Sequence, residues 1–180
     1  DTTIHRTGEG PAIVLDDCGF CLFSDLMITG DGTATNGIVY SKQCSSNTVR
    51  WCRISSFRES GVRYEGEKEV PMSSNSVLYC HFVDNGQEQL RSFYNNDFYI
   101  IGNQFGCWKE KPKVGAALIH SSAGTYSLNY HWGNDVAMTL GPGGDYNRIE
   151  NNRFEQSRTS GIVIGNPDTA DQWNRFNILT

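Results

Sequence analysis

Charge is scarce in this sequence, and long apolar runs are scarcer. Only 19% of the 180 residues are charged, and the surplus is acidic. A net charge of −5 and a pI near 5.3 leave no basic stripe of the kind that neutralises phosphates, so nucleic acid is excluded as the expected partner. The most hydrophobic stretch, Phe20 to Ile28, is short and broken by Ser24 and Asp25, which excludes a membrane-spanning helix. The opening residues, DTTIHRTGEG, have neither the basic start nor the apolar centre of a secretory signal. Asn-X-Ser/Thr glycosylation acceptors are absent, as is any 3.6-residue hydrophobic period long enough for a crossover helix. Ligand spacing is missing too. His5, His81, His120 and His131 are scattered, Cys18-Gly-Phe-Cys21 has no second pair to complete four ligands, and acidic pairs such as Asp16-Asp17 are too common to specify calcium. The Gly141-Pro-Gly-Gly144 segment lacks the lysine of a phosphate loop. Neither a metal nor a cofactor is expected.

What is present is a repeat. Asn147, Ile149, Asn152 and Phe154 form a frame that returns as Asn75, Val77, Cys80, Phe82 and as Asn47, Val49, Cys52, Ile54. A glycine- or alanine-led alternating run accompanies it: Ala12-Ile-Val-Leu15, Gly37-Ile-Val-Tyr40, Gly61-Val-Arg-Tyr64, Ala137-Met-Thr-Leu140 and Gly161-Ile-Val-Ile164. Counted between residue numbers, 37 to 61 and 137 to 161 are 24, 12 to 37 is 25 and 49 to 77 is 28. Periods of about 20 to 50 residues mark a solenoid. Each unit holds two or three short segments with period-two hydrophobicity, separated by Gly, Asn, Asp and Ser, which are strand and turn signals. Three short strands per unit predict a right-handed parallel β-helix of about seven coils, with all of residues 1–180 in one domain. Because the N-terminus already reads like the end of a coil, the chain is expected to be a piece of a longer protein.

The position shared by Cys52, Cys80, Asn103 and Asn152 supports stacking. In a parallel solenoid equivalent residues lie about 4.8 Å apart, so an inward amide can bond to its copies and to turn backbone. NRIENNRF followed by a polar turn and GIVI resembles the typical coil of the pectin-lyase-like β-helix superfamily, which includes polysaccharide lyases, glycoside hydrolases and bacteriophage tailspikes. The resemblance covers roughly residues 4 to 180 and implies fold directly; activity varies within the superfamily. The six cysteines, two of them in ladder positions, then read as small hydrophobes. Reduced cysteines without glycosylation acceptors suit folding in bacterial cytoplasm, as phage structural proteins fold.

Two outward columns are candidate sites. The frame aligns Asp16, Ser41 and Glu65, placing Asp16 and Glu65 two coils apart, about 9.6 Å. That is the upper edge of the roughly 6.5–9.5 Å that an inverting glycosidase leaves for water, so one could serve as general acid and the other as base. Arg63 and Glu67 sit nearby, placed to hold an acidic sugar or to tune a carboxylate's pKa. The second column is aromatic: Trp51, Tyr79, then Gly102, with Tyr130 assigned to the degenerate coil over 115–133. Flat rings at coil spacing suit sugar faces, and equally a subunit interface. A loop from Gly106 to Val114 interrupts the spiral.

The resemblance implies a tailspike-like protein of the virion or extracellular space, homotrimeric, that recognises a bacterial cell-surface polysaccharide and hydrolyses a glycosidic bond. A monomeric secreted polysaccharide lyase or hydrolase and a non-catalytic adhesive β-helix are the alternatives.

Overall fold

The computed structural model describes residues 2–108, 113–165 and 177–180. All but two of its strands fall into three seven-stranded sheets, which the chain visits in strict rotation, and Met72–Ser73 pairs with Asn95–Asn96 in a small fourth sheet. The first sheet carries the longer strands: Ile13–Asp16, Asn36–Ser41, Ser60–Glu65, Glu88–Phe93, Val114–Ile119, Val136–Leu140 and Ser160–Ile164. The second is built from Leu22–Ser24, Thr48–Arg50, Ser76–Leu78, Tyr99–Ile101, Thr125–Ser127, Arg148–Glu150 and Ile178–Leu179. The third is built from Thr2–Arg6, Leu26–Gly30, Arg53–Ser55, His81–Val83, Gln104–Gly106, Tyr130–Trp132 and Arg153–Glu155. The pairs between consecutive strands of a sheet are parallel and join residues about one repeat apart, such as Val62 with Leu90 and Val77 with Ile100. The result is a parallel β-solenoid that completes six turns along the third sheet and enters a seventh. Of the loop from Gly106 to Val114, residues 109–112 lie outside the described residues; so do residues 166–176, which include Asn174 and Phe176, where the sequence carries a further copy of the repeat frame.

Alternation explains the interior. With period two, the first sheet turns Ile38, Val62, Leu90, Ala116 and Met138 inward in one column and Leu15, Tyr40, Tyr64, Ser92, Leu118 and Leu140 in the next. The third sheet stacks Ile28, Ile54, Phe82, Phe105, His131 and Phe154. Neighbours in such a stack meet face to face: Tyr40 on Tyr64 at 4.6 Å, Phe82 on Phe105 at 5.0 Å, Phe105 on His131 at 4.8 Å. Each burial removes apolar area from water at about 25 cal/mol per Å², and every coil needs its neighbours to complete it.

The amide ladders solve a different problem. Where the chain turns between the second and third sheets, the turn leaves backbone groups that no strand pairs. Asn103 donates from Nδ2 to the Val77 carbonyl at 2.9 Å and to Asn129 Oδ1 at 3.0 Å, while its own Oδ1 accepts from the Cys80 amide at 2.8 Å. Asn129 repeats this toward Asn152 at 3.1 Å. Cys52 and Cys80 fill the same column in the preceding coils, buried, and all six cysteines are free thiols. A second ladder, Asn47 to Asn75 to Asn95 at 3.1 and 3.0 Å, runs along the corner between the first and second sheets.

Candidate functional site

The outer end of the first sheet collects the strongest set of exposed chemistry. The first five strands there end on an outward residue, and pairing places Asp16, Ser41, Glu65, Phe93 and Ile119 in one column on consecutive coils. The expected alignment of Asp16, Ser41 and Glu65 is therefore the observed one. Phe93 continues it.

Both carboxylates are engaged. Asp16 accepts a hydrogen bond from Ser41 Oγ at 2.8 Å and an ion pair from Lys42 Nζ at 2.5 Å, and these hold its carboxyl below the usual range, the Lys42 bond contributing most. An aspartate so held is ionised near neutral pH. It can accept a proton or stabilise a cation, whereas a proton donor at that pH needs the opposite environment. Glu65 accepts from Arg63 Nε at 2.6 Å, and the same guanidinium reaches Glu59 at 3.2 Å through Nη1. One coil on, Arg91 pairs with Glu88 at 3.1 Å, and Glu88 also accepts from Ser60 Oγ at 3.0 Å.

The corner after this sheet holds Asp17, Lys42, Gly66, Tyr94 and His120, aligned by backbone bonds from Asp17 to Ser41, Gly66 to Phe93 and Tyr94 to Ile119. His120 stacks on Tyr94 with ring centroids 4.5 Å apart and planes 6° from parallel. Phe93 sets its edge against both, at 4.6 and 5.6 Å, with the Arg91 guanidinium 5.8 Å over its ring. Partial burial, and then the nearby Lys68 charge, lower the His120 pKa, so its ring is neutral at pH 7. Lys42, Gln43, Glu67 and Val70 line a shallow hollow of about 170 Å³ beside Asp16. Sequence reasoning found Asp16, Glu65, Arg63 and Glu67 and missed Lys42, Phe93, Tyr94 and His120. The signal was available in Arg63-Tyr-Glu65 and Arg91-Ser-Phe93, which share a register that Gln89 obscures by standing where the earlier coils have glycine.

The aromatic column lies elsewhere, at the corner between the second and third sheets. Asp25, Trp51, Tyr79, Gly102, Leu128 and Asn151 follow equivalent strands, and each of these amides bonds to the carbonyl ending the next coil's strand. All six have positive φ, from 52° to 69°. Trp51 and Tyr79 are 53% and 56% exposed, with the Arg50 guanidinium 4.6 Å over the Trp51 ring. Tyr79 lies against Gly102, where an added Cβ would meet its ring at 2.5 Å. A hollow of about 260 Å³ lies beside Trp51, lined also by Asp25, Leu26, Met27 and Arg53. Tyr130 is not part of this column: Leu128 occupies the corner, and Tyr130 sits on the third sheet between Gln104 and Arg153. There its hydroxyl donates to Glu155 at 2.7 Å and Arg153 covers its ring at 5.4 Å. The degenerate coil concealed this two-residue offset. The acidic column and the aromatic corner thus stand at opposite ends of the second sheet.

Coil pairing, ladders and stacked interior all agree with the family comparison, in which the right-handed β-helix region matches residues 36–177. The chain belongs to the right-handed β-helix family. No curated protein matches this β-helix in sequence. Among solved structures it is similar to the crystal structure of the periplasmic alginate epimerase AlgG, at 11% identity and a TM-score of 0.54. The alignment covers 90% of this β-helix and 39% of the epimerase chain, so the chain spans well under half the length of that protein. At that identity the likeness is one of fold.

Among the described residues no helix is long and apolar enough to cross a membrane, and no group of three or more His, Cys, Asp or Glu is placed to hold a metal ion.

Proposed function

We propose that this β-helix recognises a bacterial cell-surface polysaccharide along the outer end of its first sheet, as a tailspike-like protein of a virion or of the extracellular space. The observation that carries the reading is the continuity of one exposed column: Asp16, Ser41 and Glu65 run in register into Phe93, flanked by the Tyr94–His120 stack. Hydroxyl-bonding groups on three successive coils give way there to aromatic rings on the next, which suits the hydroxyl groups and apolar faces that sugar rings offer. The similarity in fold to an enzyme named for alginate epimerisation supports a polysaccharide as the ligand class. In this reading Asp16 and Glu65, two coil steps apart, form the carboxylate pair of glycosidic hydrolysis, with Asp16 suited to the role of base. Trp51 and Tyr79, on another corner, fit a second glycan contact or the packing surface of a homotrimer.

The test is a panel of bacterial surface polysaccharides, followed for new reducing ends and for the absorbance of unsaturated products. Reducing ends that vanish in Asp16→Asn and Glu65→Gln support hydrolysis on this column. Unsaturated products would move the chemistry to a lyase, and binding without turnover would leave an adhesive β-helix.

A further inference from the structure

The charges on this face say which polysaccharides it accepts. A chain of uronate or sialate residues carries a negative charge every few ångströms and needs cations free to meet it. On the first sheet's outer face the cations Lys42, Arg63 and Arg91 are each turned onto the protein's own carboxylates: Lys42 onto Asp16, Arg63 onto both Glu59 and Glu65, Arg91 onto Glu88. With Glu67 beside Lys42, five carboxylates face three ion-paired cations. Lys68, on the loop near His120, does not reverse the balance.

Resting on the polysaccharide reading above, we infer that the ligand is a neutral glycan, built of hexoses, deoxyhexoses or N-acetylated sugars, and that this face rejects polyanions. Two physical effects act together. An incoming carboxylate reaches Arg63 only by displacing Glu59 or Glu65, and the displaced carboxylate stays within a few ångströms of it. The repulsion then offsets what the new pair gains, because an exposed ion pair contributes little on its own. The chain's net charge of −5 opposes approach of a polyanion at longer range. A neutral sugar meets neither obstacle. Its hydroxyl groups can accept from the spare N–H groups of Arg63 and Arg91 and donate to the paired carboxylates without breaking any pair, since an arginine carries five donors and a carboxylate about four acceptor sites. Its apolar C–H faces suit Phe93, Tyr94 and the neutral His120 ring.

The experiment measures binding of the 180-residue chain to purified neutral bacterial polysaccharides and to polygalacturonate, at low and high salt. The expected result is retention of a neutral polymer, with affinity changing less than about threefold between 50 and 500 mM salt. Binding should weaken about tenfold in Tyr94→Ala, and polygalacturonate should not be retained. Glu59→Gln combined with Glu65→Gln frees Arg63 and should create salt-sensitive polygalacturonate binding. Tighter binding of the wild-type chain to polygalacturonate than to any neutral polymer, falling steeply with salt, would overturn the inference while leaving the polysaccharide reading standing. Retention of no glycan of either class would overturn both.

Discussion

His131 makes this β-helix sensitive to acid in a way that can be worked out from its surroundings. It occupies a column otherwise filled by Ile and Phe, fully buried, with rings of Phe105 at 4.8 Å and Phe154 at 5.1 Å. Its Nε2 lies 2.5 Å from the Tyr126 hydroxyl, while Nδ1 has no partner. Nothing in that stack can solvate a second proton, so burial pushes its pKa down to about 3. In the unfolded chain it titrates near 6.5. The sign follows: above about pH 6.5 both states hold the neutral ring, whereas between about pH 6.5 and 3 only the unfolded state takes up the proton. Stability is therefore lost as pH falls through that window, at about 1.4 kcal/mol per pH unit. At pH 5 the loss is about 2 kcal/mol, and it approaches about 5 kcal/mol near pH 3. Urea unfolding of wild type and His131→Phe at pH 7 and pH 5 isolates the effect. Orphaning the Tyr126 hydroxyl costs the variant about 1–3 kcal/mol, but equally at both pH values, so the difference in slopes is diagnostic. The wild type should lose about 2 kcal/mol more than the variant on going to pH 5. Parallel losses would refute the reasoning and mean that the ring is protonated, or solvated, in the folded chain.

Two further perturbations probe the architecture. Asn103→Leu strips partners from the buried Cys80 amide, the Val77 carbonyl and Asn129, and should cost about 2–4 kcal/mol of stability in thermal or urea unfolding; a cost below about 1 kcal/mol would show that the ladder is dispensable. At Gly106 an added Cβ would collide with the Trp132 indole, so Gly106→Ala should displace that ring from its tilted contact with Trp108, shift tryptophan fluorescence and destabilise by about 1–3 kcal/mol.

The parts of this molecule written plainly in its sequence are those where each coil must repeat the same solution. Cys80, Asn103 and Asn152 stood out because a turn with unpaired amides needs a small side chain or a bonding one at the same place in every coil. Asp16, Ser41 and Glu65 aligned because glycine or alanine leads each of their strands. Gln89 breaks that cue. Its side chain buries itself in place of the glycine gap, accepting from Asn85 at 2.6 Å and donating to the Gly106 carbonyl, and the outward partners of its strand, Arg91 and Phe93, became unreadable with it. Tyr130 was misplaced for a related reason: the register of its coil is fixed by strand pairing with Gln104 and Arg153 and by the bonds of Asn129 to Ile100 and Asn152, which a degenerate repeat does not display. Ion pairs such as Arg63 with Glu59 and Glu65 depend on side-chain reach, which no repeat encodes.

Positive φ at the corners has a consequence for how the chain can change over time. Eighteen non-glycine residues among those described adopt it, including Trp51, Tyr79, Leu128 and His120. A left-handed backbone costs an ordinary side chain about 1–2 kcal/mol, and it costs glycine almost nothing. Gly102 shows that the corner accepts the cheaper residue. Each large side chain standing there is thus a small standing debit against stability, while the backbone bonds that set the corner involve no side chain. The same corner carries tryptophan, tyrosine, glycine, leucine and asparagine on successive coils, so surface properties can diversify along it while the interior stays fixed, provided that each ring finds room over the next coil, as Tyr79 does over Gly102.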